Sequence, residues 1–185
     1  QLIWIVLDRL GMNHPETTGL TKCTCTREPR LKTGRHCKRC QVGGGVIIVH
    51  DATRDVMAAC IRNAGVPVIV EARAILPGSN EAPADVLAVG IGSQHRDVAI
   101  DVAIVDSQEV NDNADAERFA LMTGAAARRY HAWKLHRRQR PGGRTMEERL
   151  KHNGYDCLPM VFEVDGATDG KFATFIKKLS EIAFI

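Results

Sequence analysis

No stretch of the 185-residue sequence approaches the roughly 20 consecutive apolar residues that a membrane-spanning helix needs. The most conspicuous run, Leu2 to Leu7, is far shorter, and the start Gln1-Leu-Ile-Trp-Ile-Val-Leu7 lacks the basic flank and small-residue cleavage site of a secretory signal. A soluble chain with no membrane partner is therefore expected, with Leu2 to Leu7 as a docking strand or helix end. Opening on Gln1 suggests a processed product or the C-terminal piece of something longer. Aromatic residues are scarce at 5%, too few for a stacking platform along nucleic-acid single strands. Internal repeats are absent, and no helix stands out as a major-groove reader, which leaves little support for a sequence-specific transcription factor. Wholesale disorder is also excluded, because 44% hydrophobic and 25% charged residues are close to the averages of folded domains.

The length suits one buried core with a smaller appendage. The net charge of +3 is the remainder of strongly segregated blocks. Thr21 to Gln41 holds seven Lys/Arg against one Glu, and Arg128 to Lys151 nine against two. Between Glu81 and Glu117 the balance reverses, with nine acids and one Arg. Two basic surfaces beside an acidic strip suit phosphate binding around a metal site, although solvated charged faces without a partner give the same pattern.

Along the chain, 11–21 reads as linker and Gly43-Gly44-Gly45 as a hinge. Asp51 is a candidate N-cap for a helix whose apolar positions Val56, Met57, Cys60, Ile61 and Ala64 end at Gly65. Strands are expected over Val66 to Glu71, with Pro67 marking an edge, over Ala84 to Val89, and over Asp97 to Asp106. The last alternates Val98, Ile100, Val102 and Ile104 against Ala99, Asp101 and Ala103. A long helix follows, with Phe119, Met122, Ala126, Tyr130 and Trp133 as its apolar stripe and its basic residues on the other face. Pro141-Gly142-Gly143 breaks it, and Thr145 with Glu148 forms a capping box for a short helix closed by Asn153-Gly154. A strand over Leu158 to Val164 and an amphipathic helix carrying Phe172, Phe175, Ile176, Leu179 and Ile182 complete the order. The expected fold is α/β, a small mixed sheet flanked by helices.

Four of the six cysteines form Cys23-x-Cys25 and Cys37-x-x-Cys40, with His36 beside the second pair and His50 further on. Two close pairs in a basic segment with few apolar residues can bring four ligands to one structural Zn²⁺, and such a segment needs a staple to be ordered. Disulfides are the competing reading, weakened by the lack of a secretory signal. Cys60 and Cys157 fall on apolar faces and read as core residues. Among the acids, Glu71 ends the first strand, Asp85 starts the second in Pro83-Ala84-Asp85, and Asp101 sits within the third. Carboxylates on adjacent strands can converge on Mg²⁺ or Mn²⁺, which would activate water and offset charge on a scissile phosphate. Taken singly, each reads as a strand-end acid facing water.

The run Gly34-Arg-His36-Cys-Lys-Arg-Cys40, Gly43-Gly-Gly45, His50-Asp-Ala-Thr-Arg54-Asp55, Ala64-Gly65-Val66, Glu71, Leu76-Pro77-Gly78, Pro83-Ala84-Asp85-Val86-Leu87, Ala99-Ile100-Asp101-Val102 and Gly154-Tyr-Asp-Cys-Leu-Pro159 resembles the C-terminal region of non-LTR retrotransposon polyproteins. There a zinc knuckle precedes a restriction-endonuclease-like PD-(D/E)xK domain that nicks the chromosomal target. The resemblance spans most of Cys23 to Gly166 and lapses at the N-terminus and from His131 to Lys151, which looks like a basic insertion. It implies a zinc knuckle over 21–50 and a restriction-endonuclease-like core over 51–185 with the basic insertion, following the docking segment and linker read from the sequence over 1–20. It also implies Asp85 as first metal-binding acid, Asp101 as second and Glu71 as accessory, with zinc held by a choice among Cys23, Cys25, His36, Cys37, Cys40 and His50.

One position departs from the pattern. The motif lysine would stand at Ala103, and in this branch of the family a lysine from the following helix, near a Lys-Tyr pair, substitutes. Arg129-Tyr130 occupies that place here, and Lys134, one turn on, is the nearest lysine. Arginine keeps the charge but cannot act as a base. Arg128, Arg137, Arg138, Arg140 and Arg144 are the expected phosphate contacts. Two functions remain open. One is a DNA endonuclease, nuclear as a retroelement enzyme would be. The other is an inactive, domesticated derivative that binds nucleic acid, RNA included, as a subunit of a larger assembly such as a mitochondrial ribonucleoprotein. In either case the protein as purified is expected to carry about one zinc per chain by atomic emission. Cys37→Ser/Cys40→Ser should lose it, whereas disulfides mapped between the two pairs would sink the zinc reading.

Overall fold

The computed structural model describes residues 45–77, 82–105, 125–136, 142–163, 167–168 and 170–183. The five candidate zinc ligands from Cys23 to Cys40, and Arg137, Arg138 and Arg140, lie outside the described residues. The elements follow the expected order: helix α1 (Gly45–Asn63), strands β1 (Val68–Ala72), β2 (Ala84–Ala88) and β3 (Asp97–Val105), helices α2 (Ala125–His136) and α3 (Met146–His152), strand β4 (Tyr155–Glu163) and helix α4 (Gly170–Ala183). The strands form one mixed sheet in the order β1-β2-β3-β4. The first three run antiparallel to their neighbours, and β4 lies parallel to β3 over nine residue pairs. A parallel neighbour cannot be reached by a hairpin, so the chain crosses over through α2 and α3.

Period-two alternation sorts the side chains onto two faces. On one, Val86, Ala88, Val98, Ile100, Val102 and Met160 pack with Met57, Ala58 and Ile61 of α1 and Phe175 and Leu179 of α4. The opposite face carries two smaller clusters. Leu87 and Ala99 lie with Leu150 of α3, and Ala103 and Val161 lie with Ala127 of α2. The result is the helix-flanked mixed α/β sheet that the apolar pattern implied. Among the described residues, no helix is long and apolar enough to cross a membrane.

Three boundaries differ from the sequence reading. Helix α1 begins at Gly45, so Asp51 lies inside it and is not its N-cap. Strand β1 starts at Val68, after Pro67, whose missing N–H suits the edge position that β1 occupies. Strand β4 starts at Tyr155 rather than Leu158, because the parallel register with β3 carries it back to Asp97. Pro159 is tolerated inside it because β4 is the other edge. Cys60, expected in the core, is exposed, whereas Cys157 is partly buried against the Leu150 cluster. The inward stripe of α1 is Met57, Ala58 and Ile61, which turns position 60 outward. The capping box is present as expected: the Thr145 hydroxyl accepts from the Glu148 N–H at 3.1 Å, and the Glu148 carboxylate accepts from the Thr145 N–H at 2.7 Å.

Ile100, fully buried in a central strand, touches the larger cluster from its middle. Ile100→Ala is expected to lower unfolding free energy by about 2–5 kcal/mol in chemical denaturation. A loss below about 0.5 kcal/mol would contradict this packing.

Candidate functional site

The sheet register brings the three predicted acids to one level. Glu71 falls between the pairs Val70↔Val86 and Ala72↔Ala84, hence opposite Asp85. Continuing the β2–β3 register one residue beyond Val86↔Ile100 sets Asp85 opposite Asp101, which pairs in turn with Pro159. The acids thus occupy neighbouring positions across three strands, but their side chains take different partners.

Asp85 is half-buried, and its Oδ2 accepts the Val102 N–H at 2.6 Å. This bond runs from a side chain of one strand to the backbone of the next and fixes the carboxylate against β3. The same oxygen lies 3.4 Å from His50 Nε2, and His50 Nδ1 lies 3.2 Å from Asp51 Oδ1. Both ring nitrogens of His50 therefore face carboxylates, which places this residue, a candidate zinc ligand by sequence, beside Asp85. Burial lowers the His50 pKa, but the Asp51 and Asp85 carboxylates together outweigh it and the net shift is upward.

Asp101 meets Lys134, whose Nζ lies 2.7 Å from Oδ2. Apart from this ion pair, the buried Oδ2 has no hydrogen-bond partner. Burial raises the Asp101 pKa and nearby Asp85 adds to it; the Lys134 ammonium opposes the rise without cancelling it. A carboxylate is thus held where solvation is poor, offset mainly by Lys134 and to a smaller extent by His50, an arrangement that favours a further cation. A cavity of about 270 Å³ opens beside it, lined by Pro83, Asp101, Lys134, Met146, Cys157 and Pro159. Burial pushes the Cys157 thiol up to about 12, so at neutral pH it contributes no thiolate.

Lys134 reaches the site because α2 lies close on the sheet. Ala103, Ala127 and Val161 are all buried in one cluster, so the helix sits directly on Ala103. At the strand end, buried Glu163 accepts the Ala127 N–H at 3.3 Å, placing a carboxylate against the positive end of α2. Ala127, Tyr130, His131 and Lys134 of α2 face inward. Tyr130 keeps its place in the expected apolar stripe, whereas Trp133 is 51% exposed and a basic residue faces inward; Phe119, Met122 and the Ala126 side chain lie outside the described residues. Tyr130 packs against Trp133 with ring centroids 5.1 Å apart, and the Lys134 ammonium lies 5.8 Å from the centre of the Tyr130 ring.

Glu71 takes a different role. Its backbone is left-handed, with φ of 51°, and its carboxylate pairs with Arg54 at 2.8 Å and Arg73 at 3.6 Å. Arg54 also reaches Asp51 at 3.2 Å and Asp55 at 2.9 Å, tying α1 to the edge strand. Arg128, Arg129 and Arg144 are exposed, and the contact with Asp101 is made by Lys134. His50, Asp51 and Arg54 were not assigned to this site from sequence. Their helical spacing was readable, but taking Asp51 as the helix start left His50 outside α1 and among the zinc candidates.

Asp85 and Asp101 fit a divalent ion of the Mg²⁺ type, which needs one or two carboxylates and otherwise keeps its waters. Among the described residues, no three His, Cys, Asp or Glu side chains form a ready metal-ligand group. No family model matches the chain, and no curated protein or solved structure is significantly similar to it.

The raised Asp101 pKa has a stability consequence. The folded state binds this proton more tightly than the unfolded state, so ionisation destabilises the fold increasingly as pH rises from the ordinary value of 3.8 through the raised one. The wild type should therefore lose stability as pH rises from about 4 toward neutral, and metal-free Asp101→Asn should flatten that part of the melting-temperature profile whatever its absolute melting point, since it also removes the Lys134 ion pair. An unchanged pH dependence in the variant would contradict this assignment.

Proposed function

We propose that the chain is a metal-dependent endonuclease domain of the restriction-endonuclease-like kind, acting on DNA. The observation that carries this reading is the ammonium of Lys134, delivered by α2 onto Asp101 at 2.7 Å beside Asp85. Two acids and a lysine can serve metal-dependent phosphodiester hydrolysis, the acids by holding the ion and the lysine by offsetting phosphate charge, and Lys134 would replace the lysine missing at Ala103. Asp85 and Asp101 would hold Mg²⁺ or Mn²⁺. When bound, such an ion polarises the phosphate and lowers the pKa of the attacking water.

The remaining roles belong to the chain. Asp85 is oriented by the Val102 N–H and by His50, which is itself braced by Asp51. Lys134 is a mobile cation that can exchange Asp101 for a phosphate oxygen and offset the charge growing there. Exposed Arg128 and Arg144 supply phosphate contact outside the site, so binding is salt-dependent and only weakly sequence-specific. The zinc knuckle over 21–50 would position the nucleic acid.

One observation favours the second reading, an inactive nucleic-acid-binding subunit of a larger assembly. Each acid already has a cationic or protonatable partner within the chain, Lys134 for Asp101 and His50 for Asp85. The two readings separate on cleavage of supercoiled and single-stranded DNA by the zinc-loaded protein with Mg²⁺ or Mn²⁺. The nuclease reading expects nicking that Asp85→Ala/Asp101→Ala lowers by about a thousandfold or more and Lys134→Ala by about a hundredfold. Salt-sensitive binding without metal-dependent nicking would overturn the nuclease and establish the scaffold.

A further inference from the structure

Helix α1 has two working flanks. One carries His50 and Arg54 to the acids, and the other is apolar and, among the described residues, uncovered. Ile48 and Val56 are 67% and 64% exposed, well above what a helix packed on both sides leaves open. Together with Cys60 of α1, Phe162 of β4, and Phe172 and Ile176 of α4, they line an apolar groove of about 400 Å³. Phe162 and Phe172 meet edge to face with centroids 5.1 Å apart and form its floor. A continuous apolar groove between two helices is a place where something packs.

We propose that this groove is the docking site for the chain's own segment Leu2 to Leu7. The sequence supplies six consecutive apolar residues there, Leu2-Ile-Trp-Ile-Val-Leu7, for which the nuclease reading has no use. The described chain begins at Gly45, three residues and less than one helical turn before Ile48, so the point of attachment of residues 1–44 is close to the groove. The 37 residues between Leu7 and Gly45 can span on the order of 100 Å when extended, which leaves the groove within reach. A segment tethered in this way competes at an effective concentration of about a millimolar, far above that of a second copy of the chain in dilute solution. Groove and segment are both apolar, so their union removes two exposed surfaces from water at once. Docking would brace α1 from behind, on the helix that carries His50 and Arg54. The proposal stands whether or not the chain cleaves DNA.

Cys60 sits in the groove and reports on its cover. The experiment is iodoacetamide labelling of the full 185-residue chain, wild type beside Ile3→Asp/Ile5→Asp, with Cys60 modification followed by peptide mass mapping at low and high protein concentration. Cys60 is expected to react about tenfold or more slowly in the wild type than in the variant, equally at both concentrations. As a second measurement, Ile5→Cys under mild oxidation should form a disulfide between the introduced thiol and Cys60 within one chain. Equal Cys60 rates in wild type and variant would overturn the proposal. Protection that grows with concentration and survives Ile3→Asp/Ile5→Asp would also overturn it and assign the groove to a second copy.

Discussion

Asp101 sets the constraint to which the rest of the site answers. A carboxylate in the middle of a nine-residue central strand has little freedom to move toward water, because its neighbours on both sides along the strand are anchored by sheet pairing. Burial disfavours its ionised form, and Asp85 across the strand pair disfavours it further. Lys134 must come close to offset this, and it can do so only from a helix lying directly on the sheet. The alanines at 103 and 127, and the carboxylate of Glu163 at the start of α2, make that approach possible. The small residue at 103 is thus the one that lets the helix bring Lys134 to Asp101.

The same geometry explains why the acids diverge. Glu71 leaves the pleat with its left-handed backbone and joins Arg54 and Arg73, becoming part of the tie between α1 and β1. Asp85 stays with the sheet because the Val102 N–H holds it, and Asp101 stays because its strand is central. Two neighbouring carboxylates therefore lie between a histidine on one side and a lysine on the other. Each acid has a charge partner within the chain. An incoming cation or phosphate must displace or share those partners. The chain accepts some loss of stability at Asp101 to keep a charged group in the middle of the sheet.

What the amino-acid order determined was the succession and type of elements. Period-two runs and helical stripes separate cleanly in this chain, and the capping box at Thr145 and Glu148 is a local structure that its four residues specify alone. The alternation in β3 likewise put Asp101 on the face away from Val98, Ile100 and Val102, so the acids most suited to a site were readable as out of place. The start of α1 and the length of β4 were not readable, because helix caps compete weakly with packing and because a parallel strand takes its length from a partner more than 50 residues away. Only the tertiary structure decided which acids remain together, which cation meets them, and that His50 serves the site. Those pairings join α1 to β2, β2 to β3, and α2 to β3, and their energies depend on burial and approach distances that exist only once the sheet and its helices have packed.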